Sequence, residues 1–262
     1  MRSISLYIVL LLFTAPSAAQ TVKPLVLGNL ATDKIKEASG ITSSVPLKDC
    51  YWTLNDSGNK PEVYLLNNKA QLISTFKLEG AHNRDWEDIA EGIGPEKGKY
   101  YVYVADIGDN AGIRSHIRIY RFREPETKPA EHVTIAPDVL SLEFPNSPRD
   151  AESLMIDPIS KQIYIFSKRE KEISLYKAAP LFFKDGDKVT LQKLIKLPYT
   201  WITAADMSKD GRHIVIKTLS AVYYWYRKGN ETVEQALSKP AKELPYVAEK
   251  QGESITIAPG NN

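Results

Sequence analysis

The 262-residue sequence predicts an all-β propeller, five-bladed with an incomplete last blade, and three observations predict it. β-Branched and aromatic runs recur along the chain, at Tyr51–Leu54, Tyr101–Val104, Ile163–Phe166 and Ile214–Ile216, with almost no helical periodicity between them. A short opening motif recurs ahead of each run, as KEASGI from Lys36, DWEDIA from Asp85, DAESLM from Asp150 and ITAADM from Ile202, and a fifth time as QGESIT from Gln251. Aligned, these openings place Ser39, Glu87, Glu152, Thr203 and Glu253 in one register, at spacings of 48, 65, 51 and 50 residues. A four-stranded blade takes roughly 40–50 residues, so the period is blade-sized.

The remaining strands of each unit follow in order. Second strands end in the polar stretches NDSGN (Asn55 to Asn59), DIGDN (Asp106 to Asn110), SKRE (Ser167 to Glu170) and KTLS (Lys217 to Ser220). Third strands begin at Val63, Ile117, Ile173 and Val222, and fourth strands fall at LISTFKL, VLSLEF, LQKLIKL and, more weakly, AKELP. Lys209-Asp210-Gly211-Arg212 reads as an Asp-Gly hairpin turn between the first two strands of the fourth repeat. The fifth repeat supplies one strand, QGESITIAP. LVLGNL, Leu25 to Leu30, lies where a propeller places a ring-closing strand, and is expected to join that last blade.

Ahead of the repeats, Arg2, the apolar run Ile4 to Phe13 and the small residues Pro16 to Ala19 follow the three-part plan of a secretory leader cleaved after Ala19. The expected organisation is a signal peptide, 1–19, and one propeller domain, 20–262, working in the periplasm or outside the cell. No later stretch is apolar enough to span a membrane, so no membrane attachment of the mature form is expected. A net charge of +2 leaves no electrostatic footprint for a nucleic acid polymer or an anionic membrane surface. One cysteine and four scattered histidines give neither an intrachain disulfide nor a zinc signature.

In a propeller the first strand of every blade lines the central channel, and antiparallel pairing sets its start beside the end of the second strand. The openings and the second-strand ends therefore meet at one mouth. Three carboxylates and two hydroxyls converging there are expected to hold a hard cation, and Ca2+ accepts six to eight oxygens in a flexible shell. Ser39, Glu87, Glu152, Thr203 and Glu253 are the expected ligands; the alternative is that their oxygens bond neighbouring backbone and tie blades together. Asp85 or Asp88 is placed to activate water, and Lys168, Arg169 or Lys217 to steady developing negative charge. Asp56 and Asp109 serve equally well as turn caps. The four tryptophans, Trp52, Trp86, Trp201 and Trp225, read as blade-packing residues.

The set DWEDIA, DIGDN, DAESL, SKRE, KDGR and QGES resembles a group of secreted bacterial propeller proteins of unassigned activity, over essentially the whole mature chain. The order of the openings is also similar to that of the calcium-activated nucleotidases, the apyrases, whose five inner strands supply a Ser, Glu, Glu, Ser, Glu ring around a calcium. That resemblance implies Ser39, Glu87, Glu152, Thr203 and Glu253 in those places, with Thr for the second Ser. The expected function is a calcium-centred binding module for a small phosphorylated or acidic ligand, or for an envelope or extracellular protein. The alternative is a calcium-dependent hydrolase of phosphorylated small molecules, and a third reading is a glycosidase built on a carboxylate pair.

Overall fold

Short β-branched segments separated by tight polar turns can only satisfy their backbone by pairing with the next segment, and the chain does this four times over. The computed structural model describes residues 25–30, 32–247, 249 and 252–258; the expected leader and its cleavage site lie outside the described residues. Blade 1 is the antiparallel series β1 (Ala38–Ser43), β2 (Cys50–Asn55), β3 (Glu62–Asn67) and β4 (Leu72–Leu78). The turn between β3 and β4 is organised by Asn67, whose side-chain oxygen accepts from the amides of Lys69 (2.9 Å) and Gln71 (3.0 Å).

Blade 2 runs β5 (Trp86–Ile93), β6 (Tyr100–Asp106) and β7 (Ile117–Arg123), detours through β8 (His132–Ile135), and closes with β9 (Asp138–Glu143). Blade 3 repeats the plan with β10 (Ala151–Asp157), β11 (Gln162–Ser167), β12 (Ile173–Pro180), a detour through β13 (Lys188–Thr190), and β14 (Gln192–Leu197). Each detour crosses to the preceding blade and pairs parallel with its outermost strand, β8 with β4 and β13 with β9. The detour through β8 accounts for the long second spacing in the sequence. Blade 4 consists of β15 (Ile202–Met207), β16 (His213–Thr218), β17 (Val222–Tyr226), a helix α1 (Val233–Leu237) at the detour position, and β18 (Lys242–Leu244). Thr232 caps α1 in a reciprocal box with Gln235, and Val233, Ala236 and Leu237 are buried in the core between blades 3 and 4.

Face-to-face packing of adjacent blades supplies the cores. Between blades 1 and 2, Trp52 meets Phe76 and Phe122 edge-on at 4.9 and 5.7 Å between ring centres. The inner strands β1, β5, β10 and β15 contact one another in that order around the channel.

Among the described residues the expected fifth blade is not formed, and four sheets make up the propeller. Residues 252–258 instead run as a single extended segment between β15 and β1. Asp206 on β15 accepts from the Ile257 amide (2.7 Å) and the Thr256 hydroxyl (2.8 Å), while Ser43 on β1 donates to the Ile257 carbonyl (3.2 Å). The segment keeps the register of an inner strand. Asp88, one residue past its aligned position, accepts from the Leu154 amide (2.9 Å), two residues past Glu152; Asp206 and Ile257 repeat that relation two residues further along. The fifth opening is expected to supply a strand; 252–258 lies beside the inner strands but is not paired as a strand, and no second strand flanks it among the described residues. Leu25–Leu30 is not paired as a strand either; it is largely exposed and passes the β3–β4 turn.

Candidate functional site

Four of the five aligned positions, all but Glu253, share a backbone feature that the sequence does not display. In β5 the partners of β6 jump from Trp86 to Asp88, in β10 those of β11 from Ala151 to Ser153, and in β15 those of β16 from Ile202 to Ala204. The extra residue in each bulge is Glu87, Glu152 or Thr203; in β1 the irregularity spans Ser39 and Gly40. A bulge leaves one residue out of the ladder and re-aims its side chain. Here the residue so re-aimed is the aligned one, and in β5 and β10 its carboxylate joins a cluster of acids.

The mouth brings Glu87 into two carboxylate groups. Its oxygens lie with those of Asp56 and Asp85 in one cluster and with those of Asp150 and Glu152 in another, all ligand atoms of each cluster within 4.8 Å of one another. Burial, followed by the charge of Glu152, pushes the Glu87 carboxyl well above the ordinary carboxylate range. Burial also raises Glu152, while Lys168, in contact with its carboxylate, holds it down. Asp85 is raised by burial and then by Asp56. Among the described residues, no Lys or Arg forms an ion pair with Glu87, Asp56 or Asp85. Glu253, half-buried on the extended segment, is raised by burial and lies within the field of Lys168, Asp56 and Lys217.

The other expected residues are placed as follows. Ser39 donates its hydroxyl to the Glu87 carbonyl (2.6 Å), and Thr203 donates to the Gly252 carbonyl (3.3 Å), so both hydroxyls bridge adjacent inner strands. Asp88 is fully buried; its two oxygens accept from the Ile89 and Leu154 amides, and burial still raises it. These contacts tie blade 2 to blade 3, whereas Asp85 faces the mouth. Arg169 binds Asp150 (2.5 Å) and lies over the Trp201 ring at 5.1 Å. Trp201 departs from the packing role expected of it. It is 41% exposed at the rim, with a left-handed φ of 55°, and its amide donates to the Lys168 carbonyl (2.8 Å). Lys217 is buried, donates to the Gly252 carbonyl and lies 5.0 Å from the Tyr246 ring centre.

Sequence reasoning missed Arg114. Its guanidinium, buried, binds Asp106 (2.9 Å) and the Gly108 carbonyl (2.6 Å), while Asp109 accepts from the Ile113 and Arg114 amides. The DIGDN loop is thereby closed on itself. Asp106 in turn accepts from the Asp85 amide (3.0 Å), and the Asp109 amide donates to Asp150 (2.8 Å), so the loop orients both neighbouring acids. The signal in the sequence was an arginine shortly after DIGDN.

Chemically, the mouth can coordinate a cation through Glu87 and its flanking acids, with Lys168 and Arg169 on one wall to meet a negatively charged group. Fold and mouth together define a β-propeller, of four blades among the described residues, with an acid-lined mouth. No helix among the described residues is long and apolar enough to cross a membrane. No family model matches the chain, and no curated protein does. Among solved structures it is similar to hydrazine synthase of Kuenenia stuttgartiensis, at 13% identity and a TM-score of 0.37 over 75% of this chain and 46% of that one. It is similar also to the Dos1 propeller, at 11% identity and a TM-score of 0.40 over 83% of this chain and 50% of the other. The chain spans about half the length of these structures, and at such identities nothing of their activities transfers.

Proposed function

We propose that the protein is an exported binding module in which a calcium ion at the channel mouth presents itself to a small phosphorylated or acidic ligand. One observation carries the reading: Glu87 is buried and shared by two carboxylate clusters, yet has no ion-pair partner among the described residues. Carboxylates this close oppose one another's ionisation, and a divalent cation removes the conflict. Glu87, Asp56 and Asp85 are the residues that would hold it, with Asp150, Glu152 and Glu253 adjoining. Ser39 and Thr203 steer the neighbouring carbonyls of Glu87 and Gly252. The ion would supply a site of positive charge for a phosphate or carboxylate; Lys168 and Arg169 line its approach. A hydrolytic reading is favoured by Asp85, which faces this mouth and whose raised carboxyl suits proton transfer.

Calorimetric titration of chelator-treated protein with calcium chloride, and separately with magnesium chloride, tests the reading. Saturable calcium binding that Glu87→Gln weakens at least tenfold, with magnesium much weaker, is the expected result. Equal binding by wild type and Glu87→Gln, or none by either, would refute it. Turnover assays on nucleotides and phosphomonoesters, with calcium and with chelator, then separate binder from hydrolase.

A further inference from the structure

We propose that a cleft beside the acid cluster is a sugar subsite, so that the ligand of the mouth is a phosphorylated or acidic sugar whose ring lies against blades 2 and 3. The charged end of that ligand rests on the cation reading of the mouth; the ring end stands on the cleft alone. The cleft, of about 410 Å3, lies between the DIGDN loop at 109–112, the segment 147–150 that leads into β10, and the β11–β12 turn at Arg169 and Glu170. Small-molecule sites take ~300–1,000 Å3. Asp150 belongs to both places: it lines the cleft, and it stands with Glu87 and Glu152 in one carboxylate cluster. A molecule held at that cluster has the cleft as its neighbouring surface.

The lining is polar, but its charges are already matched. Arg169 binds Asp150 (2.5 Å), Arg149 binds Glu170 (3.1 Å), and Asp109 accepts from the Ile113 and Arg114 amides. A bare ion would have to break one of these pairs, and an apolar group would find little beyond Ala111 and Pro148. A hydroxyl donates and accepts at once, so a row of hydroxyls joins guanidinium to carboxylate without separating them. The lining also keeps polar capacity in reserve. Asn110 is exposed, and among the described residues only its side-chain oxygen is engaged, by Arg169. Arg149 and Glu170 share a single hydrogen bond, and the buried Arg149 Nε and Glu170 Oε2 have none. Both guanidiniums lie over aromatic rings, Arg149 over Phe144 and Tyr176 (5.6 and 5.5 Å) and Arg169 over Trp201. Such backing orients a planar donor before a ligand arrives and lowers the cost of binding. It also gives a use for the left-handed backbone that keeps Trp201 at the rim.

Saturation-transfer NMR in chelator, with the methyl glycosides of glucose, galactose, mannose and N-acetylglucosamine as probes, tests the cleft apart from the cation. Transfer to at least one glycoside is expected. Asn110→Ala and Glu170→Ala, neither of which belongs to a carboxylate cluster, should each weaken it about fivefold, the loss expected of one hydrogen bond. Calorimetry with calcium present then joins the two ends. The 6-phosphate of the sugar that shows transfer should bind about tenfold more tightly than inorganic phosphate, and Asn110→Ala should reduce that advantage while leaving inorganic phosphate binding unchanged. No transfer to any of the four glycosides, or transfer that both variants retain in full, would overturn the sugar subsite whatever the protein does with calcium. A sugar phosphate bound no more tightly than phosphate would overturn its link to the mouth. Transfer in chelator from a protein that binds no calcium would instead refute the cation reading and uphold the subsite.

Discussion

Glu87 and Glu91 lie four residues apart on β5, both buried, and they are treated in opposite ways. Glu91 sits at the far end of the channel, where Lys209 reaches over from the β15–β16 turn to contact its carboxylate and to donate to its carbonyl (3.2 Å). Burial pushes Glu91 up to about 7, with Lys209 holding it down. Glu87, at the mouth, is surrounded by carboxylates instead. The difference teaches that this fold can bring a cation of its own to a buried acid, whereas among the described residues no Lys or Arg pairs with Glu87. In the proposed reading a bound cation takes the place at Glu87 that Lys209 fills at Glu91.

The sharpest way to break this comparison is at the finished end. Lys209→Met leaves Glu91 buried without its counter-charge, and losing one member of a buried pair costs about 3–5 kcal/mol. Chemical denaturation should show a loss of that order, and a loss under about 1 kcal/mol would mean that Glu91 does not depend on the lysine.

Next in size is the response to calcium. A ligand that binds only the native state at a hundred times its Kd stabilises it by about 2.7 kcal/mol. Millimolar calcium should therefore raise the melting temperature of chelator-treated wild type, and leave Glu87→Gln almost unmoved. Lys209→Met should keep the response, since it changes the opposite end of the channel.

The pH dependence without metal follows from the raised Glu87 carboxyl. The folded protein retains a proton there that the unfolded chain, with an ordinary value near 4.5, has released. That contribution is complete below the ordinary range and is lost as pH rises toward the raised value. Melting temperature in chelator should fall as pH is raised above about 5, and Glu87→Gln should flatten the fall and be the more stable protein at neutral pH. Glu152→Gln should show no such gain, because it strands Lys168. The smallest effect is expected from Ser39→Ala, which removes one neutral hydrogen bond worth about 1 kcal/mol; differential scanning calorimetry resolves a change of that size.

The sequence revealed the four strands of each complete blade because each is a β-branched run closed by a turn of Asn, Asp or Gly. Four of the aligned positions coincide with a strand irregularity that recurs at one point of the repeat, and a repeated oxygen marks that point in the sequence. β8 and β13 escaped notice for a physical reason: they are short, half-exposed strands whose only pairing is with the preceding blade, so no local partner announces them. The count of five failed at Gln251 onward because an opening specifies where an inner strand lies, and nothing about whether strands follow it outward. Lys209 read as part of a hairpin turn, which it is. Its second role depends on Glu91, 118 residues earlier, and that separation exists only in the folded chain.

Lys209 also acts as a tie between blades that are not neighbours. Its side chain links Glu91 of blade 2 to the β15–β16 turn of blade 4, at the end of the inner strands away from Glu87. At the other end Arg169, bound to Asp150 and lying over Trp201, forms part of the rim that a guest among the acids would pass. Exchange at such a site is governed by its rim, so a change of rim residue should alter how long a guest stays more than how tightly the acids hold it.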